Sequence, residues 1–183
     1  MKKKSRSDKK SPRPVLSDPR EPIRFFLNFE PDIPTLTHQQ GIKPFVRKDG
    51  KPGIRKTREL ETLEYFYKQK LTKFVPPTPL VGSVLLKTTW FFNGGEKCSD
   101  CIWRIKKPDS DNVAKTLKDC MTSVGFWQDD KQCQDIIYRI DVPPQAKHGI
   151  LIEIVKPMPV CDFLATLNLP IDLNPLYLKH SDV

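Results

Sequence analysis

No stretch of the 183 residues comes near the ~18 consecutive apolar positions needed to cross a bilayer. The cationic start is not followed by an apolar segment of the kind that makes a secretory signal. A membrane partner is therefore not expected. Cysteine is sparse and odd in number: Cys98, Cys101, Cys120, Cys133 and Cys161. Five widely spaced thiols in a chain of this size do not make a disulfide framework, and a reduced, cytosolic protein is the simplest account. The three histidines, His38, His148 and His180, stand apart and suggest no shared site. Glycine is scarce, with 8 residues against 18 prolines, so much of the chain is extended or loop. There is no internal repeat. What is present is 38% hydrophobic residues, enough for the core of one domain, which excludes a chain disordered throughout or fibrous.

The formal net charge of +9 is unevenly placed. Residues 1–20 hold eight basic against two acidic residues, a net of +6. Residues 43–58 hold Lys43, Arg47, Lys48, Lys51, Arg55, Lys56 and Arg58 against Asp49, a second +6. The remainder is mildly acidic, at −3. Two cationic blocks on such a body suit a polyanionic partner, although a basic run also serves simply as a solvated surface.

Residues 1–21 are Lys, Ser and Pro with almost nothing apolar and read as a disordered basic tail. A first strand is expected over Ile23–Phe29, and a hairpin or loop carries the second basic block around Lys48-Asp49-Gly50-Lys51. Thr57 can cap a helix reaching about Phe74, with Leu60, Leu63, Tyr67, Leu71 and Phe74 on one face and Pro76-Pro77 as the stop. Val84–Phe92 reads as a strand, Ser110–Val124 as a second helix, and Asp135–Val142 and Gly149–Val155 as two more strands. From Lys156 on, four prolines and one short apolar stretch, Phe163-Leu164-Ala165, predict an irregular tail with at most a brief helix. Strands and helices do not alternate regularly, so the expected class is α+β: a mixed β-sheet with two main helices. The expected organisation is a tail over 1–21, one domain over 22–156 and a Pro-rich tail over 157–183.

The acidic minority is concentrated. Six of the 22 carboxylate residues fall between 109 and 135. On a wheel of about 100° per residue with Asp111 at zero, Lys115 falls near 40° and Asp119 near 80°. Val113, Leu117, Cys120, Met121 and Val124 lie between roughly 180° and 280°. One face is therefore core and the opposite face stacks carboxylate, ammonium and carboxylate. Asp109 sits at the helix entrance, where free N–H groups and the positive dipole end favour an anion. An ordinary reading exists, an N-cap followed by an exposed i,i+4 ladder worth a few tenths of a kcal/mol. The adjacent Asp129-Asp130 is harder to explain that way, because like charges side by side repel unless a divalent cation neutralises them. From Asp111 to Val124 the helix rises about 20 Å, and residues 125–130 can span about 20 Å at most. Asp130 thus returns to Asp109 only if that connection runs nearly straight back along the helix; otherwise the carboxylates meet across a subunit interface. Hard oxygen ligands suit Mg²⁺ or Mn²⁺, which with a nearby lysine can activate water and polarise a phosphodiester. With cationic flanks, the chemistry points to a metal-dependent phosphodiesterase acting on nucleic acid.

The segments Lys107-Pro108-Asp109-Ser110-Asp111-Asn112 with Lys115 and Asp119, then Gly125-Phe126-Trp127-Gln128-Asp129-Asp130-Lys131-Gln132, resemble the RusA-type Holliday-junction resolvases, including prophage-borne members. Ile33-Pro34-Thr35-Leu36-Thr37-His38-Gln39-Gln40 resembles the N-terminal segment of the prophage proteins. The resemblance covers roughly residues 25–155. It implies a homodimer in a bacterial cytoplasm, bacterial or prophage-encoded, that binds branched four-way DNA and nicks two opposed strands with Mg²⁺, or Mn²⁺ in its place, and no small-molecule cofactor. By position it implies metal-binding carboxylates at Asp109, Asp111 and Asp130 and a catalytic lysine at Lys115. Asp129 is a further candidate ligand and Asp119 a recurrent acid. Lys43, Arg47, Lys48, Lys51, Arg55, Lys56 and Arg58 are the expected DNA-binding block, to which the N-terminal tail adds. Cys133 stands where an aliphatic residue is usual, a near-isosteric change, and Ile140 where a lysine is frequent. A non-catalytic branched-DNA binder and a nuclease for another nucleic acid are the alternatives. Cys98-Ser99-Asp100-Cys101 has the spacing of half a zinc site, but no second close Cys or His pair accompanies it, and a structural zinc is not the expected reading. Trp90, Phe91 and Phe92 read as core strand, and Trp127 either packs its loop or wedges at a junction arm.

Overall fold

The computed structural model describes residues 22–30, 32–37 and 39–166. The expected basic tail, most of the Pro-rich tail, His38 and His180 lie outside them. Seven strands and three helices follow in the order β1 (Ile23–Asn28), β2 (Ile42–Val46), β3 (Pro52–Lys56), α1 (Arg58–Leu71), β4 (Val84–Asn93), β5 (Ile102–Trp103), α2 (Ser110–Val124), β6 (Cys133–Val142), β7 (Gly149–Val155) and α3 (Val160–Thr166).

β4 alternates strictly, with Val84, Leu86, Thr88, Trp90 and Phe92 buried and the residues between them half-buried, the period-2 signature of a strand at the centre of a sheet. The sheet runs β1-β7-β4-β6-β5. β4 and β6 are parallel and the other pairs antiparallel. A parallel pair needs a crossover, and α2 supplies it. β2 and β3 form a separate antiparallel ribbon. The expected α+β class with a mixed sheet and two main helices is what the chain adopts.

α1 starts where Thr57 was expected to cap it: the Thr57 hydroxyl accepts from the Leu60 N–H at 3.3 Å. Glu59 and Glu61 in the first turn and Lys68 and Lys70 in the last complement the helix dipole. The α-helical part closes at Leu71 and the remaining turn to Phe74 is 3₁₀, because the prolines beyond withdraw the donors that a further α-turn would use. α2 spans the expected residues. It ends at Gly125, whose φ of 100° admits the left-handed cap and whose N–H donates to Met121 and Thr122 carbonyls. α1 and α2 bury Leu63, Tyr67, Leu71, Val113, Leu117, Cys120 and Met121 against Phe25, Leu86, Trp90, Ile152 and Ile154 of one sheet face, in a single core.

Trp90 and Phe92 are core, as expected, while Phe91 points to the opposite face of the sheet. Trp127 is buried and its Nε1–H donates to Thr122 Oγ1 at 2.7 Å, so it packs its loop and is not a wedge. β1 ends one residue before its expected bound and β4 one residue after, and two elements depart further, β5 because no strand was expected there. β5 is only two exposed residues long, too short to show a period, and β6 begins at Cys133, two residues early. Cys133 packs half-buried against the core, in keeping with an aliphatic place. No helix among the described residues is long and apolar enough to cross a membrane.

Candidate functional site

The approach to α2 is held from below by two arginines. Arg104 donates through Nη2 to the Lys107 carbonyl at 2.6 Å, and Arg139 donates to the carbonyls of Lys106 and Pro108. Arg104 is itself ion-paired to the buried carboxylate of Asp141, and its N–H donates to the Arg139 carbonyl at 2.9 Å. A buried pair of this kind is costly to break from one side, because the remaining charge is left uncompensated. Asp109 emerges from this brace in the N-cap position, with φ −70° and ψ 153°, and its carbonyl accepts from Val113 at 3.3 Å. Its carboxylate makes no capping hydrogen bond, so capping does not explain the acidic side chain.

The return segment is pinned as tightly. Leu80 N–H donates to the Phe126 carbonyl at 2.8 Å. Gln132 spans the turn: its Nε2 donates to the Leu80 and Gly82 carbonyls at 3.2 and 2.8 Å, and its Oε1 accepts from the N–H groups of Gln128 and Asp129. Asp129 caps the short 3₁₀ turn Asp130–Gln132, accepting from the Lys131 N–H at 3.0 Å and pairing with Lys131 Nζ at 2.8 Å. These hydrogen bonds to Lys131 hold the Asp129 carboxyl below its ordinary value. Asp129 is thus committed to its own turn, and Asp130, the next residue, is the acid presented elsewhere.

The consequence is a cavity of about 410 Å³ lined by Gln39, Ile42, Asp111, Asn112, Lys115, Lys118 and Asp130. Asp111, Lys115 and Asp130 come together within one chain, so the connection through 125–130 runs back along α2. Asp109 lines a different, larger cavity of about 710 Å³ with Arg104, Lys107, Gln40 and Pro108, and Gln39 and Asn112 are common to both. The expected set Asp109, Asp111 and Asp130 is therefore divided between neighbouring cavities. Among the described residues no three Asp, Glu, His or Cys side chains stand close enough to hold a metal ion together.

Two lysines with different tethers share the smaller cavity. Lys118 is ion-paired to Asp135 and is mostly buried. Lys115 meets Asp119 at a long 3.8 Å, both groups about half exposed, a pairing worth well under ~1 kcal/mol that leaves the ammonium free to move. Of the basic block, Lys43, Arg47, Lys48, Lys51 and Arg55 are exposed on the β2–β3 ribbon and its turn. Arg58 opens α1, whereas Lys56 is held by both oxygens of Glu64 at 2.6 and 2.7 Å.

The sequence reading assigned nothing to Arg104, Arg139, Asp141, Lys118 or Gln39. Arg139 and Asp141 carried a signal: they fall on the same face of β6 as Cys133 and Ile137, the face that the register with β4 turns to the core. Charges on the inner face of a strand indicate a built ion pair.

Cys98 donates to the Asp100 carbonyl at 3.1 Å, and neither it nor Cys101 joins a metal-holding group among the described residues. Burial pushes the Cys120 and Cys133 thiols up to about 12. At pH 8 each is roughly one part in 10⁴ thiolate. Timed alkylation at that pH, read by peptide mass, is expected to modify exposed Cys101 in minutes, half-buried Cys133 far more slowly and buried Cys120 only in denaturant. Fast labelling of Cys120 in the folded protein would contradict the packing described.

Residues 34–155 match the family model described as endodeoxyribonuclease RusA. Over 113 residues the chain is 34% identical to a protein of Lactococcus phage r1t named crossover junction endodeoxyribonuclease RusA, a match covering 60% of this chain and 82% of that one.

Proposed function

The chain belongs to the RusA endodeoxyribonuclease family, and from that premise we propose that it resolves four-way DNA junctions by symmetric paired nicks, with Mg²⁺ as cofactor and Mn²⁺ able to replace it. On this reading residues 22–156 are the nuclease domain and the protein works as a homodimer in the bacterial cytoplasm, on branched DNA and without a small-molecule cofactor. The observation that carries the proposal is the shared cavity of Asp111, Lys115 and Asp130.

The donor set fits the ion. Mg²⁺ keeps most of its water and is commonly held by one or two carboxylates together with substrate phosphate, so two aspartates lining one cavity suffice without an all-protein cage. Asp111 and Asp130 would hold it, with Asp109 reaching in from the adjoining cavity. When bound, it would neutralise phosphate charge and lower the pKa of a water. The protein's own groups do the rest. Lys115 stands on the same face as Asp111, one helical turn away, and offers a mobile ammonium to the charge developing on the phosphoryl oxygens. Lys118, fixed by Asp135, keeps the cavity from becoming purely anionic. The Arg104–Asp141 and Arg139 brace fixes the start of α2, which matters because displacements of about 1 Å in such sites cost about 10²-fold in rate. Lys43, Arg47, Lys48, Lys51, Arg55 and Arg58 bind phosphates flanking the cut, with Lys56 contributing once freed from Glu64. In a two-fold dimer the two cavities would face phosphates on opposed strands.

A supercoiled plasmid extruding a cruciform tests this. With Mg²⁺, wild type is expected to yield linear DNA directly, and with EDTA nothing. Accumulation of open circles alone would remove the paired nicking. Tight binding with no cut in Mg²⁺ or Mn²⁺ would identify a non-catalytic branched-DNA binder.

A further inference from the structure

The β2–β3 ribbon has two unlike faces. The register pairs Pro44 with Ile54 and Val46 with Pro52, and Lys43 with Arg55 and Phe45 with Gly53. Directly opposed residues share a face, and alternate residues of a strand share a face. One side therefore carries Pro44, Val46, Pro52 and Ile54, with Ile42 and Lys56 opposed at its base. The other carries Lys43, Arg55 and the Phe45 ring, which lies over Gly53 beside the Arg47 guanidinium. The turn is a tight one: Gly50 N–H donates to the Arg47 carbonyl and Arg47 N–H to the Lys51 carbonyl, with Gly50 at φ 78°. At its base, Thr57 N–H is tied to the Gly41 carbonyl at 2.7 Å. The apolar side is bare: Val46 is 74% and Ile54 70% exposed.

An apolar face left open on a cationic ribbon restricts what covers it. A second copy of the ribbon would bring the same six basic residues, against one aspartate, into its own field. A proline in each strand also removes donors that edge-to-edge pairing would need. The partner must be anionic and still offer apolar planes. Bases at a DNA branch point meet that description once the junction is opened, because the pairs flanking the centre then lose a stacking neighbour, whereas continuous duplex shields its base planes. Position agrees: Ile42, the first residue of the ribbon, lines the same cavity as Asp111 and Asp130.

We infer that the Pro44, Val46, Pro52 and Ile54 face of the β2–β3 ribbon docks against unstacked bases at the centre of a four-way junction while the Lys43, Arg47 and Arg55 side holds the phosphates. The ribbon is then what separates branched from linear DNA. This inference rests on the junction-cleaving reading above. Apolar side chains inserted at base steps act in this way in proteins that kink DNA, and a two-stranded ribbon is narrow enough to enter a groove.

The test uses the full chain in Ca²⁺, so that binding is read without cleavage, on a junction carrying 2-aminopurine at the branch point and on linear duplex of one arm. Wild type is expected to raise the 2-aminopurine fluorescence. The V46S/I54S variant is expected to lose that rise and roughly tenfold in junction affinity, with duplex affinity kept within about twofold. V46L/I54L, which preserves an apolar face, is expected to behave as wild type, and an unchanged melting midpoint checks that both variants fold. V46S/I54S retaining both the junction affinity and the fluorescence rise would overturn the inference. So would a loss of dimer mass by sedimentation with the rise intact, which would assign the face to a subunit interface. Wild type showing no preference for the junction would instead remove the underlying substrate reading.

Discussion

Replacing Asp111 by Asn is expected to lower junction cleavage by roughly 10³-fold, about 4 kcal/mol of transition-state stabilisation, while junction affinity stays within about threefold. The substitution is nearly isosteric and removes a charge from an exposed position on α2, so no core contact is lost and the fold is unaffected. Asp111 lies in the first turn of the helix with Asn112 and Lys115 beside it on the same cavity. The expected loss is therefore confined to kcat, read by single-turnover cleavage of a labelled junction. A parallel fall in affinity would mean that Asp111 organises the DNA-binding surface instead.

The second large effect separates two neighbours that look equivalent in the sequence. Asp130→Asn is expected to cost roughly 10³-fold in cleavage, because its carboxylate faces the cavity of Asp111 and Lys115. Asp129→Asn is expected to leave the rate within about fivefold, because that carboxylate accepts from the Lys131 N–H and is paired to its ammonium, and Asn still serves as a cap. The same single-turnover assay on both variants decides it. Equal losses, or the larger one at Asp129, would reverse the assignment.

Much of this was legible in the sequence because it rests on short-range chemistry. α2 declared itself through its apolar period, α1 through Thr57 and its charge gradient, and β4 and β7 through their β-branched and aromatic runs. The acids Asp109, Asp111 and Asp130 were visible as a cluster, but their division between two cavities was not. That division depends on how Gln132 ties residues 128–132 to the Leu80 and Gly82 carbonyls, contacts made across about fifty positions of chain. Arg104, Asp141 and Arg139 were missed for the same reason: they meet only once β5 and β6 pair. β5, at two residues, had no period to read. The ribbon was expected as a hairpin or loop from Asp49-Gly50, but its two faces appear only in the register of Lys43 with Arg55.

The central claim is that one cavity, built by Asp111, Lys115 and Asp130, cuts branched DNA. Its most direct measurement is a denaturing gel of a four-way junction labelled on each strand in turn, with wild type and the Asp111→Asn variant side by side in Mg²⁺. The account predicts cuts at matching positions on two opposed strands for wild type, and none for the variant despite equal binding in Ca²⁺. An Asp111→Asn protein that cuts at the wild-type rate, or a wild type that binds the junction and leaves all four strands whole, would contradict it.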